Sequence, residues 1–446
     1  MNKFYRIWFL ALFVKCLLSV WLPLSNDEAY YWVWGHHLSL SYFDHPPVVG
    51  WLFWLGSFFE NLGHAARLPG VILGHITILV WHYILRPFLD EKQQWLWLIF
   101  VSFSPFLGVG SLIITPDVPL MFFWSLSLLA LLRCLSLRSA VWYLAFGATL
   151  GLGFCSKYMI VVFVPVALLW LAASGKWRRV QWRFVPLTLL SGILFSGPVL
   201  IWNFEHEWAS FVFQLGHGLN SDKQNLMWPV EYLLAQIMIL FPTVVWLALR
   251  RREPGEARFL HFFGWFPLLF FLYTSFRARV EANWPIMAHP ALLSLAFLNM
   301  KSWRPFKWTI GIWAFALIAI LSQVAFSWIP LDPHKLKTSE FTKYDVFLPE
   351  VAEHPDMFMG SYQMAAAVSY KLRRQFYKLK EMNRRDFYDY IPESTPKGDR
   401  FFVGAEITLP LPKWVEKEGF EVVNEKILNE EFRVLEVVRR EKDPRP

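Results

Sequence analysis

Eleven apolar runs, at about residues 4–24, 64–86, 95–114, 117–132, 141–155, 158–173, 184–202, 229–249, 259–276, 284–300 and 308–329, fill most of the first three-quarters of the chain. A helix needs roughly 20 apolar residues to cross the ~30 Å hydrocarbon layer of a bilayer. So many runs near that length exclude a water-soluble globule with a single core. They predict an all-α polytopic membrane protein of about 11 transmembrane helices. The 25 Trp and 42 Phe among 446 residues agree, since aromatic rings collect at membrane interfaces. The shorter apolar stretch 47–60 reads as an interfacial or re-entrant helix.

The first run, MNKFYRIWFLALFVKCLLSVWLPL, begins basic and apolar like a signal peptide. It is long, Lys15 interrupts it and no small-x-small site follows, so an uncleaved first span is expected. Cys16, Cys134 and Cys155 lie in or beside apolar runs without C-x-x-C spacing, which suits small buried hydrophobes rather than a zinc site or disulfide framework.

Charge orients the runs. With the N-terminus inside, 17 Lys/Arg fall on the inner side, among them the clusters KWRRVQWR (176–183), RRREPGEAR (250–258) and KSWRPFK (301–307). The outer loops hold only Arg67, Lys157, Lys223, Arg277 and Arg279. This is the positive-inside pattern, and it accounts for the net charge of +8 without a nucleic-acid partner. Ten of the 14 carboxylates before residue 330 fall outside: Asp27, Glu28, Asp44, Glu60, Asp117, Glu205, Glu207, Asp222, Glu231 and Glu281.

Composition divides the chain into a membrane part, 1–330, with large outer loops at 25–63 and 203–228, and a soluble-like part, 331–446. Within the latter, DMFMGSYQMAAAVSYKLRR reads as a short strand, a turn and an amphipathic helix, and RFFVGAE and FEVVNEKI read as strands. A small α/β domain is expected, placed in the periplasm by the odd number of spans.

Six outer stretches carry residues capable of chemistry. Asp27-Glu28 before AYYWVW could supply a general base, or Asn26 or Asp27 could cap a helix; the spacing leaves both open. In YFDHPP, Pro46-Pro47 stiffens the exit from the loop that holds Tyr42, Asp44 and His45. Asp117 in TPDVPL either caps the helix that follows or acts at membrane depth. Lys157 in GLGFCSKY is a rare outer cation, suited to a phosphate leaving group or to snorkelling. The remaining two stretches are WNFEHEW with FQLGH, holding Asn203, Glu205, His206 and His217, and RARVEANWP, holding Arg279. Singly each has an ordinary structural reading; together they gather on one membrane face, as a single active site requires.

The order DEAYYW…YFDHPP, TPDVPL, GLGFCSKY, WNFEHEWASFVFQLGH, RVEANWP resembles that of bacterial GT-C glycosyltransferases, similar to protein O-mannosyltransferases and to the aminoarabinose transferase of lipid A. The likeness covers most of residues 1–330, with a looser match at GSYQMAAAVSYKL and RRDFYDYIP. It implies an inner-membrane enzyme that moves a hexosyl or pentosyl group from a polyprenyl-phosphate donor to a lipid, glycan or protein acceptor of the envelope, on the periplasmic face. By the resemblance, Asp27, Glu28 and Asp117 are catalytic, with an aspartate as general base. His45, standing where the relatives have lysine, binds the donor phosphate together with Lys157 and Arg279. Tyr42, Asp44, Asn203, Glu205 and His206 contact substrate. No cofactor is required, although the resemblance allows a divalent metal ion at Asp44 and His217.

An inverting transfer needs a base for the acceptor hydroxyl and cations for the departing phosphate, and an activated donor needs no nucleotide site. The alternative is a transporter or flippase of lipid-linked sugars. Such proteins place coupling carboxylates near mid-membrane, often between inverted repeats. The acids here lie at one face and no repeat is evident, which favours the enzyme.

Overall fold

The computed structural model describes residues 2–219, 225–326, 328–329 and 341–440. The chain divides into two compact units, Met1–Leu22 with Ser39–Phe326, and Pro23–Leu38 with Ser327–Pro446. The second unit thus takes in a segment, 23–38, that composition alone assigns to the membrane part.

In the first unit, helices form where the apolar runs lie. Among the described residues, five are long and apolar enough to cross a membrane: Lys3–Trp21, Ala65–Phe88, Asp117–Leu137, Trp182–Glu205 and Arg304–Phe326. A sixth is obtained if Met227–Leu240 and Pro242–Ala248, bent by 93°, count as one span. The bend falls at Phe241, at φ 72°, because Pro242 has no N–H to continue the hydrogen-bond ladder. Val48–Phe59, Ala140–Phe154, Tyr158–Ala173 and Ile286–Leu298 are shorter apolar helices. The run 95–114 departs from expectation. Its helix, Glu91–Ser102, stops early, and the chain reaches Asp117 through turns and a 3-10 segment, Val109–Leu112. Pro105 interrupts the ladder there, and Gly108 passes so close to Ser102 that a Cβ would sit 2.3 Å from its carbonyl oxygen.

Trp81, Trp97, Trp124, Trp170, Phe100 and Phe163 are fully buried in the core of this unit. In contrast, Leu189, Leu190, Ile193 and Leu194 point outward, as lipid-facing side chains do. Ala140–Phe154 lies closely against Val185–Glu205 because Gly147 has no side chain; a Cβ there would come 2.1 Å from the Thr188 carbonyl oxygen. Hydroxyls tie the pair, Thr188 donating to the Tyr143 carbonyl and Ser191 to that of Leu144, each at 2.9 Å.

The second unit contains a four-stranded sheet in the order β1-β2-β4-β3, formed by β1 (Phe358–Met359), β2 (Arg400–Glu406), β3 (Phe420–Ile427) and β4 (Phe432–Arg439). β1 runs parallel to β2, and the other pairs are antiparallel. The strand–turn–helix expected from DMFMGSYQMAAAVSYKLRR forms as β1 and the helix Tyr362–Leu372. β4 was not foreseen. Phe432, Val434, Leu435 and Val437 are buried, but the part-exposed Arg433 and Glu436 dilute the apolar pattern.

Candidate active site

The strongest polar cluster among the mapped candidates of the first unit is built on a helical hairpin. Asp117–Leu137 runs one way and Ala140–Phe154 returns, so the start of one helix and the end of the other lie at the same end. Asp117 opens the first helix but makes no side-chain cap there; the capping reading is not realised. After Phe154 the chain turns sharply, with the N–H groups of Ser156 and Lys157 both donating to the Gly153 carbonyl at 3.0 Å. Lys157 then takes an extended conformation, and its ammonium donates to Asp117 Oδ1 at 2.6 Å. Both side chains are nearly covered, 12% and 5% exposed, so Lys157 does not snorkel to the interface. The second carboxylate oxygen accepts from Asn283 Nδ2 at 2.7 Å and from Thr115 Oγ1 at 3.4 Å. Among the described residues Asp117 is the polar partner of the ammonium, which leaves two of an ammonium's three donors for another acceptor.

The loop at 39–47 is fastened beside this hairpin. Val48 N–H donates to the Cys155 carbonyl at 3.1 Å, and Gln214 Nε2 donates to the Asp44 carbonyl at 2.6 Å. Phe43 packs on Phe213 with ring centroids 4.7 Å apart. Tyr42 is buried, its hydroxyl accepting from Ser39 N–H at 3.3 Å. Burial pushes that hydroxyl above the usual tyrosine range, so it stays protonated near neutral pH. Asp44 is buried and His45 partly so. Gln214 belongs to the helix Ala209–Leu219, which also holds His217; the His217 side chain lies outside the described residues.

Asn203 is fully buried, and both ends of its amide are occupied. Nδ2 donates to the Val199 carbonyl at 3.0 Å, while Oδ1 accepts from Ser210, whose hydroxyl meets that of Tyr158 at 2.7 Å. Asn203 therefore fastens the residue next to Lys157. His206 stacks on Trp202 at 4.0 Å, with Nδ1 2.7 Å from the Trp202 carbonyl, and Glu205 is exposed at its helix end. Arg279 is exposed on the segment that leads to Asn283.

Asp27 and Glu28 stand in the second unit, in the helix Asn26–His36. Its N-cap is Ser25, not Asn26 or Asp27 as expected. Ser25 Oγ accepts from Glu28 N–H at 3.3 Å, and the Glu28 carboxylate returns to Ser25 N at 3.1 Å, closing a capping box. Glu28 is buried by that task and Asp27 is exposed. The helix packs along Tyr362–Leu372. Tyr30 lies 4.5 Å from the Tyr362 ring, and its hydroxyl accepts from Phe387 N–H at 3.0 Å. Beneath Phe387, Lys378 pairs with Asp386 and Asp389, each at 2.8 Å, with all three side chains nearly inaccessible.

Residue types alone did not single out Asn283, Tyr158, Ser210 or Gln214. All four lie inside or beside the quoted stretches, yet their partners are distant in sequence. Among the described residues no group of three or more His, Cys, Asp or Glu is placed to hold a metal ion.

The profile of the dolichyl-phosphate-mannose-protein mannosyltransferase family matches residues 44–202. Lipid A galacturonosyltransferase RgtD of Rhizobium johnstonii is 25% identical over 337 residues, covering 70% of this chain and 67% of that protein. The undecaprenyl phosphate-alpha-4-amino-4-deoxy-L-arabinose arabinosyl transferase of Edwardsiella ictaluri is 25% identical over 288 residues, 60% of this chain and 51% of its own. The chain thus spans between half and two-thirds of the length of these curated relatives. The crystal structure of ArnT from Cupriavidus metallidurans bound to undecaprenyl phosphate superposes with a TM-score of 0.67 over 97% of both chains, at 15% identity. The chain therefore shares the ArnT fold and resembles the GT-C glycosyltransferases.

Proposed function

We propose that this chain is an integral-membrane glycosyltransferase that moves a sugar from a polyprenyl-phosphate donor to a lipid, glycan or protein acceptor of the envelope, with lipid A the first to test. The observation that carries the reading is the covered Lys157 ammonium, held at 2.6 Å by Asp117 with donors to spare. Such a cation suits the charge that develops on a departing phosphate. The kinship to transferases named for undecaprenyl-phosphate sugar and for lipid A supplies the substrate class.

In this reading Asp27 removes the proton of the acceptor hydroxyl. The freed oxygen attacks the anomeric carbon, the bond from that carbon to the phosphate oxygen breaks, and polyprenyl phosphate leaves with its negative charge. Lys157, His45 and Arg279 stabilise that charge, and Asp117 holds Lys157 in place. Of the acid pair, Glu28 closes the local capping box, which favours exposed Asp27 as the base. Tyr42, Asp44, Glu205 and His206 line the substrate side, whereas Asn203 supports Tyr158 and through it the hairpin. The donor is already activated, so no cofactor is required. A divalent ion at Asp44 and His217 is a separable element, tested by chelation and add-back.

We read the protein as a multi-pass inner-membrane protein, with Glu91–Ser102, Ala140–Phe154, Tyr158–Ala173, Phe259–Ser275 and Ile286–Leu298 bringing the six spans to eleven and the C-terminal unit lying in the periplasm. The decisive experiment is mass spectrometry of envelope lipids and glycans from cells with and without the gene, followed by transfer from an undecaprenyl-phosphate sugar by the reconstituted protein. A gene-dependent added sugar and turnover in vesicles are expected; an unchanged envelope and no turnover would sink the proposal. A C-terminal reporter active only in the cytoplasm would overturn the orientation.

A further inference from the structure

We infer that Asn283, set in place by Gln236, is a positioning residue for the Asp117 carboxylate and through it for the Lys157 ammonium. The inference rests on the function just proposed and extends it to residues with no role in it so far.

Asn283 lies on an irregular segment between the helix Phe259–Ser275 and the 3-10 turn Ile286–Ala288. Backbone turn bonds shape the segment, Trp284 N–H donating to the Glu281 carbonyl and Ile286 N–H to that of Asn283, each at 3.1 Å, and a side chain anchors it to a neighbouring helix. Gln236 does so from the helix Met227–Leu240. Its Nε2 donates to the Ala282 carbonyl at 2.8 Å, and its Oε1 meets His289 Nε2 at 3.0 Å. Gln236 and His289 are both buried, at 4% and 2% exposure. A buried amide must be satisfied at both ends, and these contacts use both, which fixes its orientation. The adjoining Asn283 amide is thereby presented to Asp117 Oδ2 at 2.7 Å. A continuous polar chain, His289–Gln236–Ala282–Asn283–Asp117–Lys157, runs from the bent helix pair to the outer cation.

This arrangement divides the carboxylate. One oxygen serves Lys157 and the other is held by a neutral donor, so the carboxylate plane cannot turn away from the ammonium. Charge-assisted bonds of this kind are roughly twice as strong as neutral ones. A neutral amide also leaves the charge on Asp117 undiluted, which a second cation would not. Asn283 thus acts on the donor phosphate at one remove, and touches neither substrate nor product itself.

The test uses the purified full-length protein and undecaprenyl phosphate without sugar as the probe. Asn283→Ala and Gln236→Leu are expected to weaken its binding about tenfold and severalfold, and to raise KM for the sugar donor more than they lower kcat. Asn283→Asp keeps the shape but sets a second carboxylate against the first, and function then needs one of them protonated. Its pH–rate profile is expected to shift towards acid, which a merely structural defect would not produce. Wild-type binding retained by Asn283→Ala, with an unshifted profile in Asn283→Asp, would overturn this inference alone. A wild type that binds no undecaprenyl phosphate would overturn both this inference and the proposed function.

Discussion

Lys157 and Asp117, 40 residues apart in sequence, form an ion pair of 2.6 Å at the open end of one helical hairpin. With both side chains nearly covered, neither charge has bulk water to replace its partner, so the pair behaves as a unit. Asp117→Asn and Lys157→Met should each lower kcat/KM for transfer by about 10²–10³-fold, the usual loss of one charge-stabilising donor. The double variant should be no worse than Lys157→Met, because Asp117 acts through the lysine. Losses that multiply would instead make Asp117 an independent catalytic group.

The acid pair after the first span should separate in the same assay. Asp27→Asn is expected to abolish transfer while the unfolding midpoint stays where it was. Glu28→Ala removes the return bond of the capping box, which a glutamine would still make, and should cost on the order of 1 kcal/mol in stability, with a small effect on rate. Wild-type turnover by Asp27→Asn would remove the base assignment.

Hydropathy located the helices of the first unit because burial in lipid demands apolar runs of a set length. It failed over 103–114, where apolar turns and a 3-10 segment satisfy the same composition as a helix and only Pro105 and the close-packed Gly108 reveal the difference. It also filed residues 25–63 as one loop. Tyr30 bonds to the backbone of Phe387, 357 residues away, and nothing local announces that pairing. Of the candidate site, sequence offers residue types in six stretches but not their partners. Asn283 meets Asp117 across 166 residues, and Gln236 meets Ala282 across 46, inside a run that reads simply as membrane helix.

The buried cation of the second unit gives a stability prediction. Lys378 Nζ pairs with two carboxylates and also donates to the Arg384 carbonyl at 2.8 Å. Backbone N–H groups of Glu381, Asp386 and Tyr388 share the remaining negative charge. Lys378→Met leaves both carboxylates buried without their cation, and should destabilise this unit by about 3–5 kcal/mol. The loss should appear as faster hydrogen exchange at Phe387 and along Asn26–His36, since Phe387 N–H bonds Tyr30. Unchanged exchange there would show that the Lys378 cluster does not support the Asp27 helix.

Acidification should loosen the same helix through His37. Burial holds this imidazole below the ordinary histidine range of about 6.5, against the opposing pull of a Gln375 hydrogen bond and the Glu393 charge, and with the neighbouring His36 lowering it further. The unfolded chain therefore takes up a proton at a pH where folded His37 still refuses it. Between those two values the unfolded state binds more protons, so stability rises with pH and falls as pH drops below about 6.5. The contribution is fully present above that pH and shrinks as acid approaches the folded value. Thermal unfolding of the full-length protein at pH 7.5, 6.5 and 5.5 should show a falling midpoint in the wild type. His37→Gln has no proton to gain, so its midpoint should fall less over the same window. Equal slopes for the two proteins would assign the acid sensitivity to other groups.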